Sequence, residues 1–221
     1  MLGLSLPKMI VQFVVRLIVL LVGIPIHEWA HAWSAYQLGD RTADLQGRMT
    51  LDPMAHLDPI GSLLLLFSGF GWGKPVPVNP YRMRTNPRVG MAISAAAGPL
   101  SNFILAMVLA IPFRMGWANL AGAFTDWTMG RFSIEALLFI AIQVNLGLML
   151  FNLIPVFPLD GEKVLTGLLP PRWGDGLLRL RPYGMLIMAV LLFVLPRMGL
   201  DVLGMVIWPA HGLLLNLLLF V

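Results

Sequence analysis

The sequence predicts an all-α polytopic membrane protein, with about five transmembrane helices and a small extended, β-like or re-entrant region between the first two. Three observations carry that prediction. Hydrophobic residues make up 58% of the 221 positions and charged residues only 12%, where a soluble domain holds roughly 45–50% and 25%. Mean hydropathy is +0.81, and the apolar residues gather into five runs separated by short basic loops. No polar stretch is long enough for a separate soluble domain. The chain is therefore read as one membrane-embedded domain over 1–221, with a core of about 9–170 and additional transmembrane helices over 183–221.

The first apolar run extends from about Met9 to Leu38, where Gly39 and Asp40 supply a stop. It meets no small-residue cleavage site before its polar motif, so it is expected to be a retained helix and not a signal peptide. At 1.5 Å per residue it is long enough to cross a bilayer. The second span covers Val89 to Phe113 and contains Gly98-Pro99; the third covers Ile134 to about Ile154. Two further runs, Tyr183 to Leu195 and Val202 to Val221, follow a basic loop.

Between the first two spans, "LQGRMTLDP" and "GWGKPVPVNP" flank "IGSLLLLFSGFGW". The proline-rich pieces predict extended chain. The segment Ile60–Trp72 is too short to cross and is expected to dip into the membrane or lie on it. Non-helical backbone at that depth needs protein or a water-lined cavity around it.

The net charge of +4 comes from basic residues in short loops, which reads as a topology signal and argues against a nucleic-acid partner; the lipid bilayer is the partner that composition implies. Nine of these residues (Arg41, Arg48, Lys74, Arg82, Arg84, Lys163, Arg172, Arg179, Arg181) fall on one side of the predicted topology. Lys8, Arg114, Arg131 and Arg197 fall on the other. The positive-inside rule then turns the richer side toward the cytoplasm. Cysteine is absent, which excludes disulfides, thiol catalysis and thiolate metal ligands.

The first span ends in "HEWAH". On a helix, His27 and His31 stand on one face a turn apart and can offer ring nitrogens to one metal ion. Glu28 between them matches the general base of an H-E-x-x-H metalloprotease. From composition alone such a motif is expected about once in a thousand chains of this make-up. An ionisable residue at membrane depth costs at least ~2.5 kcal/mol, and a divalent cation offsets that by holding imidazoles neutral and carboxylates ionised.

A catalytic zinc site takes three protein ligands. The third could come from His56, His211, Glu162, Asp201 or Asp160. A loop histidine bonded to nearby backbone accounts for His56, and a bond to a neighbouring helix accounts for His211. Asp160 follows Pro155 and Pro158, where Gly161 lets the chain turn, and an N-cap role would explain it equally. Charge sorting favours Asp160, because it falls on the same side as HEWAH.

HEWAH in an apolar helix, with "NLIPVFPLDG" more than a hundred residues later, resembles the site-2 protease family of intramembrane zinc metalloproteases. "AAGPLSN", Gly98 to Asn102, is similar to that family's glycine motif, and "HLDPIGSLLLL" and "GWGKPVPVNP" resemble its compact prokaryotic branch without a PDZ domain. Phe157 stands where many relatives have proline. The resemblance covers about residues 20–170 and implies one Zn2+ per chain held by His27, His31 and Asp160, with Glu28 catalytic. It places Asn102 and Asn152 near the site as transition-state or substrate contacts, though an interhelical hydrogen bond explains each as well. Asn145 is assigned to packing.

The implied substrate is a transmembrane segment of another protein, cut in the cell membrane of a prokaryote with the active site toward the cytoplasm. A helical substrate must unwind first, and the extended loop offers a strand edge that could receive it. Two other readings fit parts of the pattern: a non-proteolytic zinc-binding membrane protein, and a metal or proton transporter. The intact base argues against the first, and the crowding of ionisable residues toward one face argues against the second. Substrate identity and oligomeric state are not legible in the sequence.

Overall fold

The computed structural model describes residues 6–68 and 71–220. Helix α1 (Leu6–Ile18) continues through a π turn at Val19–Gly23 into α2 (Ile24–Gln37). The wide turn has a local cause, since Pro25 at the start of α2 lacks an N–H and its ring would press on the preceding turn of an ordinary α-helix. Together they form the first span, Met9–Gln37.

After the short helix α3 (Thr42–Leu45) comes α4 (Pro59–Ser68), which packs along α1. Its last carbonyls would be unpaired, and the Arg16 guanidinium donates to Leu66 O at 2.9 Å and Phe67 O at 3.2 Å. The segment expected to dip is thus helical over α4, while Gly69 and Phe70 lie outside the described residues. No strand forms among the described residues. The one isolated bridge joins Gly73 of the second expected extended piece to Leu57, which lies beyond the first piece, and the prolines of the second piece remove donors a ladder needs.

Helix α5 (Pro87–Arg114) is capped by Asn86, whose side chain accepts from Arg88 N at 3.0 Å. It is followed by α6 (Leu120–Met129), α7 (Ile134–Asn152), α8 (Asp160–Leu168) and α9 (Pro171–Arg179). Then α10 (Gly184–Ala189) runs into a second π turn, Val190–Val194, and α11 (Val202–Leu219) follows, capped by Asp201. Five helices are long and apolar enough to cross a membrane: Met9–Gln37, Pro87–Arg114, Ile134–Asn152, Pro171–Met198 and Val202–Leu219. The protein is a multi-pass membrane protein.

The central helix α5 packs on α7, α2 and α8. Ala106 and Ala110 let it approach α6, α7 and α11, where Ala123, Phe139, Ile142, Leu146, Leu218 and Leu219 complete a buried cluster. Val11 and Val15 of α1 pack on Ile140.

The direction of α11 follows from its partners. Leu218 and Leu219 pack with Phe139, His211 donates from Nε2 to Gln143 O at 3.0 Å, and the Arg114 guanidinium sits 3.9 Å over the Phe220 ring. At the other end, Val202, Leu203 and Val206 share an apolar cavity of about 300 Å³ with Leu150, Leu153 and Pro155. So α11 runs antiparallel to α7 and begins where α7 ends. Gly184 packs against Phe157 at that same end, so the chain from Phe157 to Val202 leaves and returns without changing ends. This moves Arg197, expected opposite the other loop cations of that region, to the end where α7 finishes.

Candidate metal centre

Three side chains meet where α2, α5 and the start of α8 converge. His27 Nε2 lies 3.0 Å from His31 Nε2, and both lie 3.1 Å from Asp160 Oδ2. All three residues are buried, and the His27 and His31 rings stand edge to face with centroids 4.6 Å apart. Among the described residues His27, His31 and Asp160 form the group of acidic and imidazole side chains able to hold one metal ion.

Local sequence explains the approach of each element. Asp160 opens α8, and Gly161 lets that turn press against the carbonyls of Leu153 and Ile154, where a Cβ would collide. Gly98 does the same for α5. A Cβ there would press into both imidazoles, 2.7 Å from Cε1 of His27 and closer still to His31.

Hydrogen bonds fix which ring nitrogens face the centre. His31 Nδ1 lies 2.7 Å from Ser94 O, a carbonyl that can only accept, so Nδ1 carries the hydrogen. His27 Nδ1 lies 2.6 Å from Asn102 Oδ1. In each neutral ring Nε2 is then the nitrogen without hydrogen, and it is the one that faces the centre. Two such nitrogens and a carboxylate converging this closely fit a divalent ion with nitrogen and oxygen ligands. Lys163 Nζ donates to the other oxygen, Asp160 Oδ1, at 3.1 Å and leaves Oδ2 to the centre.

The remaining candidates go elsewhere. Glu162 pairs with Arg181 at 3.0 Å, Asp201 caps α11, His56 donates from Nε2 to Thr50 O at 2.8 Å, and His211 bonds Gln143. Asn102 is fully buried with both amide ends occupied, Oδ1 by His27 and Nδ2 by Asn145 Oδ1 at 3.0 Å. Asn152 donates to Leu148 O within its own helix at 3.0 Å. Sequence reasoning did not connect Asn145, Ser94 or Lys163 to the site; an amide inside an apolar helix was the one available signal, and it pointed at Asn145 without naming its partner.

Glu28 is half-buried, and its Oε2 accepts from Val76 N at 2.9 Å. The loop carrying Val76 is pinned further by Asn79 N to Asp40 at 2.6 Å and by Arg48 to Lys74 O at 2.7 Å. Lys74 N donates to His56 O, and Pro75 and Pro77 have no hydrogen to give. Among the described residues Val78 keeps the one unpaired N–H between Lys74 and Asn79.

The family model described as peptidase family M50 matches residues 15–195, a span that includes all three clustered residues and Glu28. The chain belongs to peptidase family M50. This is the site-2 protease family, as the motifs implied. The chain is similar to "Putative zinc metalloprotease YwhC" of Bacillus subtilis (strain 168), 42% identical over 196 residues that cover 87% of this chain and 83% of that protein. It also resembles "Putative zinc metalloprotease Rip2" of Mycolicibacterium smegmatis, 29% identical over 78% of this chain and 64% of that one. "Zinc metalloprotease MJ0392" of Methanocaldococcus jannaschii is 27% identical over 78% of this M50 chain and 39% of its own length. No solved structure matches the chain.

Proposed function

We propose that this M50 peptidase is an intramembrane zinc metalloprotease that cuts transmembrane segments of other membrane proteins. The convergence of two imidazole nitrogens and the Asp160 carboxylate, with Glu28 next to His27 in the chain, is the observation that carries the reading. The ligand set suits zinc, and curated relatives bear names that state it.

His27, His31 and Asp160 would hold the ion. When bound, zinc acidifies water toward neutral pH and polarises a carbonyl. Glu28 then receives the proton of the attacking water and passes it to the departing amide nitrogen, so that the C–N bond breaks with the proton balanced. For this Glu28 must exchange its bond to Val76 N–H for one to water. Asn102 supports the reaction by holding His27 and not as a direct contact to substrate. Asn152, on the half-buried end of α7, remains the candidate for a substrate contact.

The site is assigned to the cytoplasmic side of a prokaryotic plasma membrane, since Arg197 joins the nine cations already grouped at the end that bears HEWAH and Asp160. Metal analysis of purified wild type, Glu28→Gln and Asp160→Asn, paired with cleavage of a model transmembrane helix, tests ligand set and chemistry together. A Glu28→Gln protein that binds zinc and still cleaves would reject the proposal.

A further inference from the structure

One buried amide that touches none of the clustered ligands is linked to them by a chain of directional bonds. Asn145 of α7 is 4% exposed and donates from Nδ2 to Ala141 O at 2.8 Å. A backbone carbonyl only accepts, so the NH2 end of Asn145 must face Ala141 and its oxygen must face away. That oxygen only accepts, so the Asn102 end facing it at 3.0 Å must be the NH2. Asn102 therefore presents its own oxygen to His27 Nδ1 at 2.6 Å, and the ring must carry its hydrogen there. Each bond fixes the sense of the next, from α7 through α5 to α2.

We infer that Asn145 is a positioning residue that, through Asn102, locks His27 in the Nδ1–H tautomer and so turns a bare Nε2 toward the metal centre. A packing role would be satisfied by any side chain of similar volume. The relay needs an acceptor facing Asn102, because with that acceptor gone the Asn102 amide is free to turn over and offer NH2 to His27, which would favour hydrogen on Nε2 and block the ligand atom. The inference rests on the proposed metal site only for its consequence, since the tautomer is a property of the metal-free protein.

The test uses full-length protein in detergent. Nitrogen-15 NMR of labelled histidine, assigned with a His27→Gln control, reads the tautomer without metal. Zinc affinity is read by competition with a chelator. Wild type should show Nδ1–H at His27. Asn145→Leu should shift the population toward Nε2–H and weaken zinc binding by about 10–100-fold, as loss of a partner behind a ligating histidine does. Asn145→Asp, which in its protonated form keeps one donor and one acceptor, should stay within about threefold of wild type. An Nε2–H tautomer in wild type overturns the inference whether or not any variant folds, as does unchanged zinc affinity in a folded Asn145→Leu protein. Failure of wild type to bind zinc while keeping the Nδ1–H signal would instead strike the proposed function.

Discussion

Gly98→Ala tests the metal centre without altering any ligand. The added Cβ would stand 2.7 Å from Cε1 of His27 and closer to His31, about 0.8 Å inside the shortest comfortable carbon contact of roughly 3.5 Å. Neither ring can yield freely, because Asn102 and Ser94 hold their Nδ1 atoms. Relief must come from displacing an imidazole or tilting α5, and overpacking of this kind costs about 1–3 kcal/mol. If that strain falls on ligand placement, zinc affinity drops by about 10–100-fold, at about 1.4 kcal/mol per decade. A displacement near 1 Å would also slow cleavage by about 100-fold. The helix itself should gain, since alanine is favoured over glycine by up to about 1 kcal/mol in a helix interior. The signature is therefore a loss confined to the site in a protein whose helix content is intact. Gly147→Ala in α7 is the control, because a Cβ there meets nothing within 4 Å. Zinc competition and cleavage of a model transmembrane helix measure the two effects, and wild-type affinity in Gly98→Ala would refute the reasoning.

Glu28→Gln should keep zinc within about threefold and lower cleavage by 10²–10⁴-fold, the range expected for a lost general base. Asp160→Asn removes the anionic ligand and should weaken zinc by more than about 100-fold, read by the same competition. Arg16→Leu strips the donor from Leu66 and Phe67 carbonyls and should loosen the end of α4 by about 1–3 kcal/mol, seen as faster proteolysis of the loop between α2 and α5 in detergent. A reporter fused after Val221 should report the extracytoplasmic side, together with one fused at the N-terminus, because Val11 and Leu219 both pack at the end opposite HEWAH.

The three residues that cluster, His27, His31 and Asp160, were legible because their signals are local. Two histidines a helical turn apart and an aspartate before a glycine carry their meaning within a few residues, and geometry had only to bring the two motifs together. The partners of those ligands were not legible, because they depend on register between elements. Whether Asn102 meets His27 is set by where α5 crosses α2, and that crossing is fixed by Gly98, whose bare backbone admits both rings. The loop from Arg48 to Asn79 shows the opposite failure. Its alternating prolines read as extended chain, which favours a strand, yet the same prolines lack the hydrogens a sheet would use. Side chains of Glu28, Asp40 and Arg48 take up the backbone instead.

Hydropathy has no direction, and that is why the last spans were the least legible part of the fold. A run of apolar residues says that a helix suits lipid; only contacts say which way it points. Here Leu218 beside Phe139 and Val202 beside Leu153 orient α11, and the orientation then bears on charge. With five alternating crossings Arg197 would stand among the residues at the far end. With α10 returning to the end where it began, Arg197 joins the cations around the metal centre, leaving Lys8, Arg114 and Arg131 opposite. The packing contacts and the charge bias are independent in origin, one from van der Waals fit and the other from the cost of moving cations across a membrane, and the proposed orientation rests on both.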